Sequence, residues 1–344
     1  MSIFANFLAT PEAAEALGDQ NFVAAMLRFE AALARAQAQA ELISQSAAQS
    51  IIGTCKVDLF DVPKLVREST RARCMASPLI KSLRETVGLF NPQAAEYVHF
   101  GCSTQDVIDS ALAIVTRQVL GLVQTDLNQI VSRLLALAER HAADPVLARA
   151  PWQSNAISSF GWICSQWAAP LARSRQRLQQ RASQGLCLQL GGALGTCAEM
   201  KDKGALVASL MASELELTKP DVSWQTQRDE QVALACELGL LVGSLGRVAK
   251  DIARMAQVEN AELSTQDADT QVILAAAQRV PQHVATLMHT LAQEQEHERD
   301  HWQAALAEWP ALLLSAHAAS RAMLVLLGAL QVNSARMRSN LEAR

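Results

Sequence analysis

Tyr97-Val98-His99-Phe100-Gly101-Cys102-Ser103-Thr104-Gln105-Asp106-Val107-Ile108-Asp109-Ser110 carries the strongest structural signal in the chain. It reads as a short loop running straight into a long helix. Gly101 gives the loop backbone freedom, and Ser103 followed three residues later by Asp106 is a capping-box pattern. Apolar residues then recur at helical spacing through Val107, Ile108, Leu112, Val115, Val119, Leu122, Leu127, Ile130, Leu134 and Leu137. No proline interrupts Thr104 to Ala142, which predicts a helix on the order of 55 Å long. Its first N–H groups have no acceptor inside the helix. With Ser103, Thr104 and Gln105 around them and His99 approaching, they suit a carboxylate or a phosphate. The plainer alternatives are that Ser103 is only an N-cap and that His99 is hydrogen-bonded within the loop.

On the N-terminal side, Asp19 is placed to cap a helix from Asn21 to about Ile43, with Met26, Phe29, Ala32 and Ala36 on one face. A helical hairpin covers 44–90, interrupted near Pro63 and Pro78, and Asn91-Pro92 breaks the chain again. On the C-terminal side, Pro145 and Pro151 mark a break before a helix from Trp162 to about Ser183. The glycine cluster Gln189-Leu190-Gly191-Gly192-Ala193-Leu194-Gly195-Thr196 follows. From Val222 to about Leu263 no proline occurs, and Val232, Leu238, Leu241, Leu245, Val248, Ile252, Met255 and Val258 form a stripe. That pattern predicts a second helix of roughly 40 residues, longer than most globular helices. A third, from about Ala268 to Ala307, should kink at Pro281, which removes an i→i−4 bond. Such helices need partners along their whole length. The fold class expected is all-α, a long-helix bundle extended by other copies of the chain. The division expected is an N-terminal helical domain, 1–100, and a bundle domain, 101–344.

Composition narrows the function. Half of the 344 residues are hydrophobic, yet only one Tyr, six Trp and eight Phe are aromatic, and 15 Gly with 10 Pro are few for this length. A formal net charge of −4 leaves no basic surface for nucleic acid. No apolar run approaches the length needed to cross a bilayer, and Met1 to Gln20 has no basic region followed by an apolar core, so neither a membrane nor a secretory signal is expected. Seven scattered cysteines form no CxxC pair and no metal-type cluster with the seven histidines, which suits a reducing cytoplasm and no structural zinc.

The segment His99 to Ser110 resembles the H-x-G-x-[ST]-[ST]-x-D-x-x-D-[ST] motif of the fumarase/aspartase superfamily, nearest to its 3-carboxy-cis,cis-muconate cycloisomerase branch, with adenylosuccinate lyase beside it. Four more segments follow the family order: Phe29 to Gln37, Gln189 to Thr196 (like Q-x-G-G-A-x-G-T), Trp224 to Asp229 (like W-H-x-x-R-D), and Glu296-His297-Glu298-Arg299 with Glu308-Trp309. The resemblance implies a homotetramer with active sites built from three subunits, using no metal or organic cofactor. It also implies proton chemistry beside a carboxylate: elimination in the lyases, lactonisation of a carboxymuconate in the cycloisomerases. Such a site needs donors for several carboxylates, stabilisation of an enediolate-like intermediate and one acid/base group. Ser103, Thr104 and Gln105 match substrate-binding positions, and His99 matches a histidine that meets substrate in the adenylosuccinate lyase branch. In a further family segment, R-T-x-x-Q-x-A-x-P-x-[ST]-F-G, the residues Arg149, Gln153, Ser159, Phe160 and Gly161 match, while Ala150 replaces the threonine.

Other departures are larger. Gln225 stands where the cycloisomerases carry histidine, Arg228 and Asp229 read as a structural ion pair, and the stretch after Arg299 has one residue too many and lacks a glycine. The chain also ends sooner than relatives that carry a further helical domain. Most important, the mobile G-G-S-S-x-M-P-x-K-x-N-P loop, which carries the family's serine base, has no counterpart. Only Ser264-Thr265-Gln266-Asp267-Ala268-Asp269-Thr270 stands there, and no glycine occurs between Gly246 and Gly328. Either the loop is deleted, or the sequence closes over a mobile segment between 263 and 270. The second alternative requires a Cα–Cα step there far beyond the roughly 3.8 Å of a trans peptide, and an intact mass above 37.2 kDa. Three functions follow as expectations: a cytoplasmic cycloisomerase acting on a small polycarboxylate, a non-catalytic relative that keeps the bundle, or a lyase releasing fumarate.

Overall fold

The computed structural model describes residues 7–148, 156–265, 267–292 and 299–343. Its N-terminal part is a cluster of short helices around α2: α1 (Pro11–Ala16), α2 (Asp19–Gln39), α3 (Gln45–Thr54), α4 (Val62–Ala72), α5 (Ser77–Phe90) and α6 (Pro92–Ala95). Pro63, Pro78 and Pro92 stand in the first turns of α4, α5 and α6, where a missing N–H removes no bond. The N-cap of α2 is Gly18 rather than Asp19. Asp19 sits in the first turn, where the helix dipole favours its charge.

The rest is built on α7 (Thr104–Arg140), whose 37 residues match the predicted span closely. Strands β1 (Pro145–Leu147) and β2 (Ile157–Ser159) form an antiparallel ribbon that feeds α8 (Phe160–Gly185). Then come α9 (Gly204–Leu215), α10 (Asp229–Ala256), β3 (Leu263–Ser264), α11 (Asp267–His289), α12 (Arg299–Ala329), β4 (Gln331–Val332) and α13 (Ser334–Glu342).

Side-chain bonds fix the helix directions. The indoles of Trp302 and Trp309 donate to Asp109 and Thr116, Arg321 donates to Asp126, and Arg133 donates to the Leu324 carbonyl. The sequence offsets of these pairs are 193, 193, 195 and 191, nearly constant, so α12 runs parallel to α7 in register. In α8 the order reverses. Gln124 donates to the Arg175 carbonyl, Gly161 N–H to the His141 carbonyl, Arg177 pairs with Glu237, and the Trp167 indole donates to Asp251. Thus α7, α10 and α12 begin at one end of the bundle, the Ser103 end, and α8 begins at the other. Trp167, Trp309, Phe160 and Ile114 fill the interior, and the core continues into Phe29, Leu33 and Leu83 of the N-terminal helices.

Three expectations change. First, α10 is 28 residues long, because tertiary bonds hold 222–228 out of helical geometry. The Trp224 indole donates to the Leu188 carbonyl, and the Gln225 carbonyl accepts from Gln105 and Arg228. Second, the single helix expected from about Ala268 to Ala307 is two. Helix α11, which contains Pro281, ends at His289, the chain turns at Thr290, whose N–H and hydroxyl both donate to the Leu287 carbonyl, and α12 starts at Arg299. Third, two helices are long and apolar enough to cross a membrane by length and composition, Asp229–Ala256 and the part of α12 from His301 to Ala329. Their most apolar stretches are 61% and 67% buried in the bundle. Periodicity shows the apolar face of such a core helix; the partners that cover it are remote in sequence.

Candidate active site

The mouth of α7 is built from behind. Ser103 and Asp106 form the complete capping box: the Ser103 hydroxyl accepts from the Asp106 N–H at 3.2 Å, and the Asp106 carboxylate accepts from the Ser103 N–H at 2.8 Å. Asp106 does more than cap. It is fully buried, and its two oxygens also accept from Gln189 Nε2 at 3.1 Å, Gly191 N–H at 3.0 Å and Gly192 N–H at 2.9 Å. Burial pushes its carboxyl above the ordinary value, against the hydrogen bonds that pull it down. This carboxylate locks the glycine cluster against the helix start. Gly192 has a φ of +68°, and a Cβ there would stand 2.9 Å from the Gly101 carbonyl oxygen. Gly192→Ala is therefore expected to destabilise the protein by about 2 kcal/mol or more, since both conformation and space oppose it. Denaturant unfolding measures this.

Behind Asp106, Asp109 accepts from Arg228 at 2.7 Å and from the Trp302 indole at 2.9 Å. Asp109 and Arg228 are both buried, and the guanidinium lies 4.6 Å from the Trp224 ring centroid. Arg228 is thus a structural residue, but its partner is Asp109 of α7 and not the adjacent, exposed Asp229. Gln105 is committed in part, because its Nε2 donates to the Gln225 carbonyl at 2.9 Å.

His99 holds a φ of 61°, a left-handed conformation that costs a non-glycine residue roughly 1–2 kcal/mol. Its Nδ1 lies 2.6 Å from the Glu30 carboxylate, and Glu30 is 1% exposed. Burial alone would lower the imidazole, but the Glu30 charge and hydrogen bond outweigh it and hold His99 above its ordinary value. The Cys74 thiol closes the group. Burial works to raise it, yet hydrogen bonds with Ser77, the Ala76 and Ser77 backbone and Thr104 hold it below the usual thiol range. A cavity of about 400 Å³ lies beside Cys74, lined also by Arg73, Leu79, Ile108, Trp302 and Leu306; His99, Glu30, Ser103 and Thr104 are not among its lining residues. Glu30 and Cys74 escape a sequence reading. The only hint of Glu30 is a carboxylate set among Phe29, Ala32 and Leu33, on the face the helix buries.

Of the remaining predicted residues, the described one, Ser159, does not join this cluster within one chain. Ser159 is the N-cap of α8, accepting from the Trp162 N–H, and Phe160 and Gly161 donate backbone bonds to Asp144 and His141 just past the end of α7. It therefore lies at the far end of α7, about 55 Å from Ser103 by helix rise. Arg149 and Gln153 lie outside the described residues. The shortened 263–270 connection belongs to the same far end: β3 pairs with β4, and Ser334 just beyond β4 donates to Asp144. Leu263–Ser264 leads into Asp267–His289 across Thr265 and Gln266, the latter outside the described residues.

The fold is a long-helix bundle with the capping-box start of α7 at one end and the serine-capped start of α8 at the other. Residues 8–272 match the Lyase family, and the chain belongs to it. Over 358 residues it is 36% identical to the 3-carboxy-cis,cis-muconate cycloisomerase of Bradyrhizobium diazoefficiens, covering 99% of this chain and 79% of that protein. The crystal structure of the 3-carboxy-cis,cis-muconate lactonizing enzyme from Pseudomonas putida superposes with a TM-score of 0.95 at 34% identity, covering 99% and 79% of the two chains. A fumarate lyase from a Mesorhizobium species gives a TM-score of 0.92 at 28% identity, covering 97% and 78%. The expected family and all-α fold are borne out. An alignment of 358 positions to a chain of 344 residues leaves at least 14 of them facing gaps in this chain, which fits its short 263–270 connection.

Proposed function

We propose that the chain is a cofactor-independent cycloisomerase that lactonises a 3-carboxy-cis,cis-muconate-like tricarboxylate in aromatic-acid catabolism, acting as a homotetramer in the cytoplasm. The observation that carries this reading is the mouth of α7, where a capped helix start, braced by buried Asp106, meets the His99–Glu30 pair. Ser103, Thr104 and Gln105 would bind substrate carboxylates from one subunit, with Arg149, Gln153 and Ser159 supplied by others. The separation of Ser103 from Ser159 supports shared sites, since one chain cannot close both ends on a small acid. Seven free cysteines support a reducing compartment.

In the reaction, a substrate carboxylate oxygen forms a C–O bond to the far double bond. The displaced π pair moves to the carbon beside a carboxyl, and that carbon takes one proton. The trianion thus becomes a dianionic lactone. Helix-mouth donors stabilise the enediolate-like intermediate. Incubation with 3-carboxy-cis,cis-muconate tests this: diene absorbance should fall and a lactone appear. One observation, the short glycine-free connection at 264–270, favours a second reading, a relative that binds polycarboxylates without turnover. Binding with unchanged absorbance would support it, and fumarate release from a succinyl adduct would point to a lyase.

A further inference from the structure

We propose that Glu30 is a positioning residue for catalysis: its buried carboxylate holds His99 by Nδ1–H and leaves Nε2 as the atom that delivers the proton to substrate at the helix mouth. This inference rests on the lactonisation reading above.

A carboxylate has no proton to give, so in the 2.6 Å contact the Nδ1–H of His99 donates to Glu30 Oε1. That fixes the ring, and the second nitrogen carries whatever proton is exchanged. The His99 side chain is 9% exposed, and Nε2 is itself buried, with no hydrogen-bond partner among the described residues. The groups facing the ring come from three helices: Glu30 from α2, Arg84 from α5 and Asp106 from α7. Glu30 and Asp106 favour imidazolium, and Arg84, which donates to the Val98 carbonyl, opposes it. The balance keeps the ring cationic above the ordinary histidine value, which suits a general acid. The step balances: Nε2–H protonates the carbon carrying the displaced pair, the imidazole becomes neutral, and solvent restores its proton.

The test is the pH dependence of kcat/KM for lactonisation, with an NMR titration of the His99 ring. Wild type should lose activity as pH rises through the raised His99 value. Glu30→Gln removes the charge that raises it, so the alkaline limb should move toward acid by about one pH unit. Activity at pH 8 should fall about tenfold or more, with KM little changed. Glu30→Asp keeps the charge and should retain the limb. If Glu30→Gln does not fold, Arg84→Met serves, and its limb should move the opposite way, toward alkaline pH. A uniform loss of activity with an unmoved limb, or a His99 titration unchanged in Glu30→Gln, overturns the inference. No turnover by wild type while the His99 titration still shifts in Glu30→Gln overturns the lactonisation reading, and the proton-delivery role with it.

Discussion

Replacing Arg228 with methionine is expected to destabilise the protein by about 3–5 kcal/mol, because it leaves the Asp109 carboxylate buried without its cation. The pair sits 2.7 Å apart with both side chains inaccessible, so the stranded charge has no water and, among the described residues, no other ion-pair partner to turn to. The Trp302 indole, its other donor, is neutral. Removing both charges should behave differently. Asp109→Asn with Arg228→Met keeps an acceptor for Trp302 and no longer buries an ion, so most of the lost stability should return. Denaturant unfolding of both single variants and the double variant measures the coupling. A double variant no more stable than Arg228→Met would mean that the guanidinium contributes through packing on Trp224.

Asp106→Asn is the second large effect. Each carboxylate oxygen takes two donors: Gln189 Nε2 and Gly191 N–H on one, Ser103 N–H and Gly192 N–H on the other. An asparagine amide, turned either way, sets its own NH₂ against one of these pairs. Two N–H groups then lose their acceptor in a dry site, at about 1–3 kcal/mol each. The expected loss is about 2–6 kcal/mol, from a substitution of a few atoms that leaves size unchanged. Because these bonds tie the glycine cluster to the helix start, amide exchange at Gly191 and Gly192 should accelerate as well. Unfolding midpoints and hydrogen exchange measure the two effects. Stability near wild type would show that Asp106 only caps the helix.

The sequence made α7 legible because its signals are local. Ser103, Asp106 and the apolar repeat from Val107 onward all lie within the element they define, and the structure keeps the capping box and the span. The error at α10 has the opposite cause. Residues 222–228 carry no breaker, and what holds them out of helical geometry is bonding to Leu188 and Gln105, remote in sequence. Arg228 was legible as half of an ion pair, but its neighbour Asp229 was the nearer guess. The true partner lies 119 residues away. Glu30 was invisible for the same reason, since nothing in Phe29 to Gln37 points to a histidine across the fold. Ser103 was legible as a cap, and Ser159 only as a match to a family segment; its capping of α8 came from the structure. Their separation by a whole helix could be seen only once the bundle directions were known.

That separation is the centre of the account, and mixed assembly tests it most directly. Thr104→Val impairs the Ser103 end and Ser159→Ala the far end. If each site joins the two ends from different copies, each variant alone should lose lactonisation, while chains unfolded and refolded together should recover part of it. A mixture as inactive as its parents, beside an active wild type treated the same way, would contradict the shared-site arrangement.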